Sequence, residues 1–401
     1  MFFLKRGKDN TLRGAQLNYF DYNLLAVIIL LTGFGLVMLY STSSYAAQMQ
    51  LGDDMFYFRK QALISIVCIA AAVMASFFDY HLFWYLGIWL YGAAFVLIAM
   101  VLTPLGKTIN GARRWLDLGI QFQPAEIAKL AVIVLVPVLI IKMGKNFRGF
   151  RAVLVPFGAG FLLSMETYLI TSNLSTAFII LGITCIIIFV AHPKTWPFIA
   201  ALAAGAVLIL IIVLVIKHSI TEGGGFRVKR ILVWLDPEAY RSEGGWQIIQ
   251  ALYALGSGGF FGKGLGNSAQ KMGYVPEAQN DMIFSIVCEE LGVFGGIIVI
   301  FLFGYMLYRL FFIAQNAKDL YGSLIVTGIF AHIMMQVILN ISVVINLIPT
   351  TGITLPFISY GGTSVLFLMA EMALALSVSR QIVFKRPEKD LWGDIVQNFD
   401  F

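Results

Sequence analysis

The chain has 401 residues, of which 59% are hydrophobic and only 12% charged, whereas soluble domains carry about 25% charged residues. An ordinary soluble globular protein is excluded. The net charge of +6 does not mark a nucleic-acid binder, because the basic residues sit in loops between apolar blocks, where membrane topology accounts for them.

The first apolar run, Leu24 to Tyr40, follows Lys5, Arg6, Lys8 and Arg13. It exceeds the ~7–15 residue core of a cleaved secretory signal and is read as an uncleaved span. Counting this span as 23–40, apolar runs between breakers predict nine more near 61–78, 82–103, 124–142, 152–169, 174–191, 196–216, 282–310, 324–345 and 354–384. Each approaches or exceeds the ~20 residues that cross a hydrocarbon core of ~30 Å. The run from Val153 to Val190 would be about 57 Å long as a single helix, too long for one crossing. Its polar stretch Glu166, Thr167, Thr171, Ser172, Asn173 is therefore read as a turn at the membrane surface.

The expected fold is an all-α polytopic bundle of ten transmembrane helices forming one membrane domain. An even number of spans puts both termini on one side. That side also collects Lys142, Lys145, Arg148, Arg151, Lys194, Arg309, Lys318 and Arg380, which makes it cytoplasmic and the segment after Lys385 a cytoplasmic tail, 385–401. The short loops opposite hold only Arg59, Lys60, Lys107, Arg113 and Arg114. Residues 217–280 form a large extracytoplasmic loop, long enough to need function or helices of its own. Within it, Trp246 to Leu255 reads as a short amphipathic helix on the membrane surface.

Charges at membrane depth are costly and are site candidates by default: Glu126, Lys129, Asp281, Glu289, Glu290, His332 and Glu371. Glu126 and Lys129, three apart, share a helix face and can pair near the outer mouth of the fourth span. Asp281 opens the eighth span. It reads equally as a helix-start carboxylate favoured by the macrodipole and as a general base where lipid-bound substrate meets water. Arg113 and Arg114, beside Trp115, and the cluster Arg227, Lys229, Arg230 suit a diphosphate or lipid headgroup; solvated loop charge fits the second cluster as well. Glu289 and Glu290 diverge by about 100°, so at most one readily shares a face with Asp281. His332 reads as a packed helix-interior histidine, and Glu371 as a buried polar residue with a partner on another helix. The run GSGGFFGKGLG, Gly256–Gly266, lacks the spacing of a phosphate loop and reads as a tight turn. Cys68, Cys185 and Cys288 offer neither a disulfide framework nor zinc-ligand spacing.

Taken in order, the segments GARRW (Gly111–Trp115), QPAEIAKL (Gln123–Leu130), ALGSGGFFGKGLGNSAQKMGYVPEAQNDMIF, EELG (Glu289–Gly292) and LPFISYGGTS (Leu355–Ser364) resemble the SEDS family, the shape, elongation, division and sporulation proteins, over nearly the whole chain. GLGNSAQK followed by GYVPEA resembles the FtsW, or division, branch. The resemblance implies a peptidoglycan glycosyltransferase that polymerises lipid II, an undecaprenyl-pyrophosphate-linked disaccharide peptide, on the outer face of the bacterial cytoplasmic membrane at the division septum. It implies Asp281 as the essential aspartate, with Arg113, Arg114, Gln123, Glu126, Lys129, Glu277, Ser359 and Tyr360 as substrate-binding positions. The partners it implies are a class B penicillin-binding transpeptidase and other divisome membrane proteins. A divalent cation, Mg or Mn, is left open, because the sequence shows no dedicated carboxylate cage. Two departures are Asn173 for the family's acidic residue and Asn280 for the threonine before the aspartate. A lipid II flippase, which needs a hydrophilic path to the cytoplasmic face, and a non-catalytic division scaffold stand as alternatives. The discriminator is whether Asp281, Glu126 and Lys129 converge on one external cavity.

Overall fold

The computed structural model describes residues 17–109, 112–117, 119, 121–219 and 226–384. The tail 385–401, the cations Lys5, Arg6, Lys8 and Arg13, and Gly111 lie outside it. The helices are α1 (Tyr22–Leu51), α2 (Phe56–Ala75), α3 (Leu82–Met100), α4 (Pro124–Met143), α5 (Phe150–Thr171), α6 (Leu174–Ala191), α7 (Trp196–Ser219), α8 (Phe226–Leu235), α9 (Gly245–Ser257), α10 (Ile283–Asn316), α11 (Leu320–Val344) and α12 (Thr363–Arg380). Among the described residues nine of them, α1 to α6 and α10 to α12, are long and apolar enough to cross a membrane. The remaining predicted span corresponds to α7, a helix of 24 residues. In α4, α11 and α12, 67% of the apolar window is buried, against 17% in α3, so these three form the centre of the bundle.

Short strands close both ends. Near the chain termini β1 (Leu17–Asn18) pairs antiparallel with β5 (Val383–Phe384), which holds the two ends of the described chain together. Between α3 and α4, β2 (Gly106–Ile109), β3 (Ala112–Asp117) and β4 (Gln121–Phe122) form a small antiparallel sheet. The large loop carries α8 and α9, and the predicted surface helix lies within α9.

Three local features depart from the expected pattern, each for a physical reason. The reversal between α5 and α6 is only Ser172 and Asn173, and Glu166 and Thr167 lie inside α5. Thr167 and Thr171 satisfy their hydroxyls on the carbonyls of Leu163 and Thr167, at 2.8 and 2.6 Å, so their polarity does not require a turn. The last span begins at Thr363 rather than 354. Residues 353–362 are non-helical and pass over α1 at Gly35, where a Cβ would fall 2.5 Å from the Phe357 carbonyl oxygen.

Finally, α10 is broken at Gly292, which adopts φ 70° and ψ −169°. The break frees carbonyls and N–H groups that must find partners in a low-dielectric interior. The glycine-rich run supplies them. Lys263 and Gly264 N–H donate to the Glu289 and Glu290 carbonyls at 3.0 and 2.9 Å, while Val293 and Phe294 N–H donate to Gly259 and Phe260 at 3.0 and 3.1 Å. A Cβ on Gly262 would sit 2.2 Å from the Glu290 oxygen, so this backbone contact requires glycine.

Candidate active site

The segment before α10 is fixed by donors from two other elements. The Gln279 carbonyl accepts from Tyr360 N–H at 2.9 Å, and the Asn280 carbonyl from Ser359 Oγ at 2.6 Å. The Asp281 carbonyl accepts from Asn340 Nδ2 at 2.8 Å, and the same amide bonds Ile353 O at 2.8 Å. Three consecutive carbonyls that precede the helix are thus each satisfied, and the Asp281 backbone has little freedom. Glu277 adopts φ 54°, a conformation uncommon outside glycine, and accepts a hydrogen bond from Asn280 Nδ2.

This turn borders a cavity of about 440 Å³ at the outer ends of α2, α4 and α11. Asp281, Gln123, Glu126, Lys129, Glu277, Tyr360 and Arg114 all line it. The predicted convergence of Asp281, Glu126 and Lys129 is therefore present. Arg113 instead lines an adjoining cavity of about 1370 Å³, shared by Arg114, Asn173 and Glu277. Ser359 lines neither: it is buried, and its hydroxyl accepts from Leu355 N at 2.8 Å while holding the Asn280 carbonyl.

Glu126 and Lys129 form the anticipated pair, Nζ to Oε1 2.9 Å, across the first two turns of α4. Burial raises the Asp281 carboxyl to about 6, with Glu277 adding to the rise and its own backbone N–H and Arg230 opposing it. Burial dominates, even though the start of α10 favours a negative charge. Across the larger cavity, burial depresses the Arg114 and Arg230 guanidinium groups, and Arg230 depresses Arg114 further. Each is anchored on backbone carbonyls at the wall of this cavity: Arg114 donates to Thr171 and Ser172 carbonyls at 3.3 and 3.4 Å, Arg230 to Thr350 O at 3.0 Å. Such a pair favours an anion between its members. Asn173 caps α6 by accepting from Thr176 N–H at 3.2 Å, a task an acidic side chain performs as well.

The other candidates lie off this cavity. Glu289 and Glu290 are both fully buried and paired, with Lys263 at 2.7 Å and Lys271 at 2.8 Å, so neither shares a pocket with Asp281. His332 bonds Glu371 at 2.7 Å between α11 and α12, which supplies the partner the sequence could not name. The reading from sequence passed over Asn340, Lys60, which lines the smaller cavity, and Gln336, which bonds Thr354 O at 3.0 Å. A polar amide inside an apolar span was the available signal for Asn340.

A bundle of apolar helices with a charged cavity at its outer end defines a polytopic membrane protein. The FtsW/RodA/SpoVE family, described as cell cycle proteins, matches residues 21–383, and the chain belongs to this family. A probable peptidoglycan glycosyltransferase FtsW of Trichlorobacter lovleyi is 34% identical, covering 91% of this chain and 94% of that protein. Stage V sporulation protein E of Bacillus subtilis is 37% identical, covering 90% and 97%. A solved structure described as structural coordination of polymerization and crosslinking by a peptidoglycan synthase complex aligns with a TM-score of 0.70 and 26% identity, covering 92% of this chain and 99% of that one.

Proposed function

We propose that the chain is a peptidoglycan glycosyltransferase that polymerises lipid II, with Asp281 as general base. The observation that carries this reading is a carboxylate with its pKa lifted to about 6, fixed by three backbone clamps in a cavity it shares with Glu126, Lys129 and Arg114. A base poised near neutrality is suited to proton abstraction at physiological pH.

The acceptor sugar's 4-hydroxyl oxygen attacks the anomeric carbon of the lipid-linked strand, and the carbon–oxygen bond to the diphosphate breaks. The hydroxyl proton passes to Asp281, and the bonding pair leaves with the diphosphate. Displacement from an α-linked donor gives a β-linkage by inversion. A diphosphate leaves as a stabilised anion, so no second carboxylic acid is needed to protonate it, unlike the alkoxide leaving group of a glycosidase. Arg114 and Arg230 receive that charge, and Arg113 extends the basic rim. Among the described residues no group of three or more His, Cys, Asp or Glu stands together to hold a metal. No step is assigned to a divalent cation.

The FtsW naming of relatives supports septal synthesis during division, with a class B penicillin-binding transpeptidase and other divisome membrane proteins as partners. The position of both cavities at the outer end supports an enzyme over a flippase. Lipid II polymerisation by purified protein, alone and with its transpeptidase, tests the reading. Asp281→Asn should lose about 10²–10⁴-fold in rate while remaining folded. Full polymerisation by this variant would remove the general base.

A further inference from the structure

Joining two diphosphate-linked lipids requires two anion sites at once, and the Arg114–Arg230 pair provides one. We propose that Lys60 is the cation of the other, positioning the diphosphate of the incoming acceptor; the inference rests on the glycosyltransferase reading above.

Lys60 is the fifth residue of α2 and lines the cavity that holds Asp281. Its placement follows from the helix. Tyr57, three residues earlier, packs its ring against Tyr360 with centroids 5.1 Å apart, and residues three apart share a helix face. The face that Tyr57 turns to the 353–362 segment therefore also carries Lys60 into the cavity. Its neighbour Arg59 is bonded to Asp53 at 3.3 Å. Among the described residues Lys60 itself has neither a hydrogen bond nor an ion pair, whereas Lys129 in the same cavity is committed to Glu126 at 2.9 Å.

The assignment to acceptor rather than donor follows from the chemistry. The leaving diphosphate is bonded to the reacting carbon and must sit beside the base, and Arg230 is the cation whose charge acts on Asp281. The acceptor hydroxyl is a whole disaccharide away from its own diphosphate. That second anion therefore needs a cation in the same cavity that is not already committed to a carboxylate. Lys60 meets both conditions.

The competing account is a lysine that merely snorkels to anionic bilayer headgroups. Both accounts are separated with full-length protein bound to its transpeptidase, in nanodiscs of zwitterionic lipid and again with phosphatidylglycerol added. Half-saturating lipid II for polymerisation is measured for wild type, Lys60→Gln and Lys60→Arg, together with binding of fluorescent lipid II to Asp281→Asn with and without Lys60→Gln. Lys60→Gln should raise half-saturation and weaken binding by about tenfold, the scale of a charge-assisted hydrogen bond. The maximal rate should stay within about twofold because ground-state binding is what is lost. Lys60→Arg should restore most of the difference, with an unchanged melting temperature and in both lipid compositions. Unchanged half-saturation in Lys60→Gln overturns the inference. So does a defect seen only with phosphatidylglycerol, or one accompanied by a fall in melting temperature that Lys60→Arg shares. If wild type neither binds nor polymerises lipid II, the glycosyltransferase reading itself fails; if wild type polymerises and Lys60→Gln matches it, only the role of Lys60 falls.

Discussion

Asp281 and the Glu289–Glu290 pair stand within a few turns of each other on one stretch of chain, yet their surroundings are opposite. Glu289 receives Lys263, Ser268 and the N–H groups of Ala269 and Gln270. Glu290 receives Lys271 at 2.8 Å and Ser41 at 2.7 Å. Both are saturated by donors from the glycine-rich loop and α1. Asp281 faces a cavity, and the donors near it are spent on the backbone of its turn. A carboxylate whose lone pairs are filled by cations and hydroxyls is a clamp, whereas one fixed through its backbone at a cavity wall, with its own N–H as a donor, is placed where a base could act. The difference lies in partner supply rather than in residue type.

That contrast predicts opposite outcomes for the same chemical change. Asp281→Asn removes activity and leaves the fold. Glu290→Gln leaves Lys271, itself buried, without a counter-charge, and breaking a buried pair in this way costs about 3–5 kcal/mol. Its melting temperature should fall well below that of wild type, and activity should fall with the folded fraction. The double variant Lys271→Met/Glu290→Leu should recover most of the loss, since apolar replacement of a whole buried pair is often neutral. If Glu290→Gln melted like wild type yet failed in catalysis, Glu290 would belong with Asp281 and the contrast would be wrong.

Asn340→Ala tests the other half of the comparison, the fixing of the base. It strips one donor from two carbonyls, those of Asp281 and Ile353, each left unsatisfied at about 1–3 kcal/mol. The maximal rate should drop roughly tenfold or more because misplacing a reacting group is expensive, with half-saturating lipid II little changed. Asn340→Asp, which keeps an acceptor but loses the donor, should behave no better. Full activity of Asn340→Ala would show that the turn is held by Ser359 and Tyr360 alone.

The charges were legible before the structure because an ionisable side chain at membrane depth needs a reason: Glu126, Lys129 and Asp281 stand out in apolar runs for that cause alone. Their convergence was not legible, nor was the role of Lys60 or which member of the cluster Arg227, Lys229, Arg230 would reach the cavity, since both depend on where loops and helix starts travel in space. Ser359 shows the same limit from the other side. Its motif marks the right turn, but the hydroxyl serves the backbone of Asn280 rather than the cavity. Two apolar patterns also misled. The stretch from Thr354 to Pro356 reads as helix because it is greasy, yet it belongs to a non-helical segment in which the Ile353 carbonyl is taken by Asn340 and that of Thr354 by Gln336. The break at Gly292 is invisible in a run of apolar residues, since only the glycine-rich segment Gly259–Gly264, well upstream in the chain, satisfies the groups it frees.

The smallest effect expected is a shift of the pH profile, and it sharpens the comparison without breaking the site. Asp281 titrates at about 6 in the folded chain against about 3.9 for a free aspartate, so the rate should fall as pH drops below about 6 and the base gains its proton. Arg230→Gln removes a positive charge that favours the carboxylate and should move this limb to higher pH. Glu277→Gln removes a negative charge that disfavours it and should move the limb lower. The stability sign is consistent with this. A raised folded pKa means that the native state holds the proton more tightly than the unfolded chain. Stability is therefore lost as pH climbs from the unfolded value through about 6. At neutral pH the charged Asp281 opposes folding, and Asp281→Asn should melt no lower than wild type, the reverse of Glu290→Gln. A melting temperature for Asp281→Asn that fell as far as that of Glu290→Gln would mean that Asp281 too is a structural partner, with its charge already satisfied.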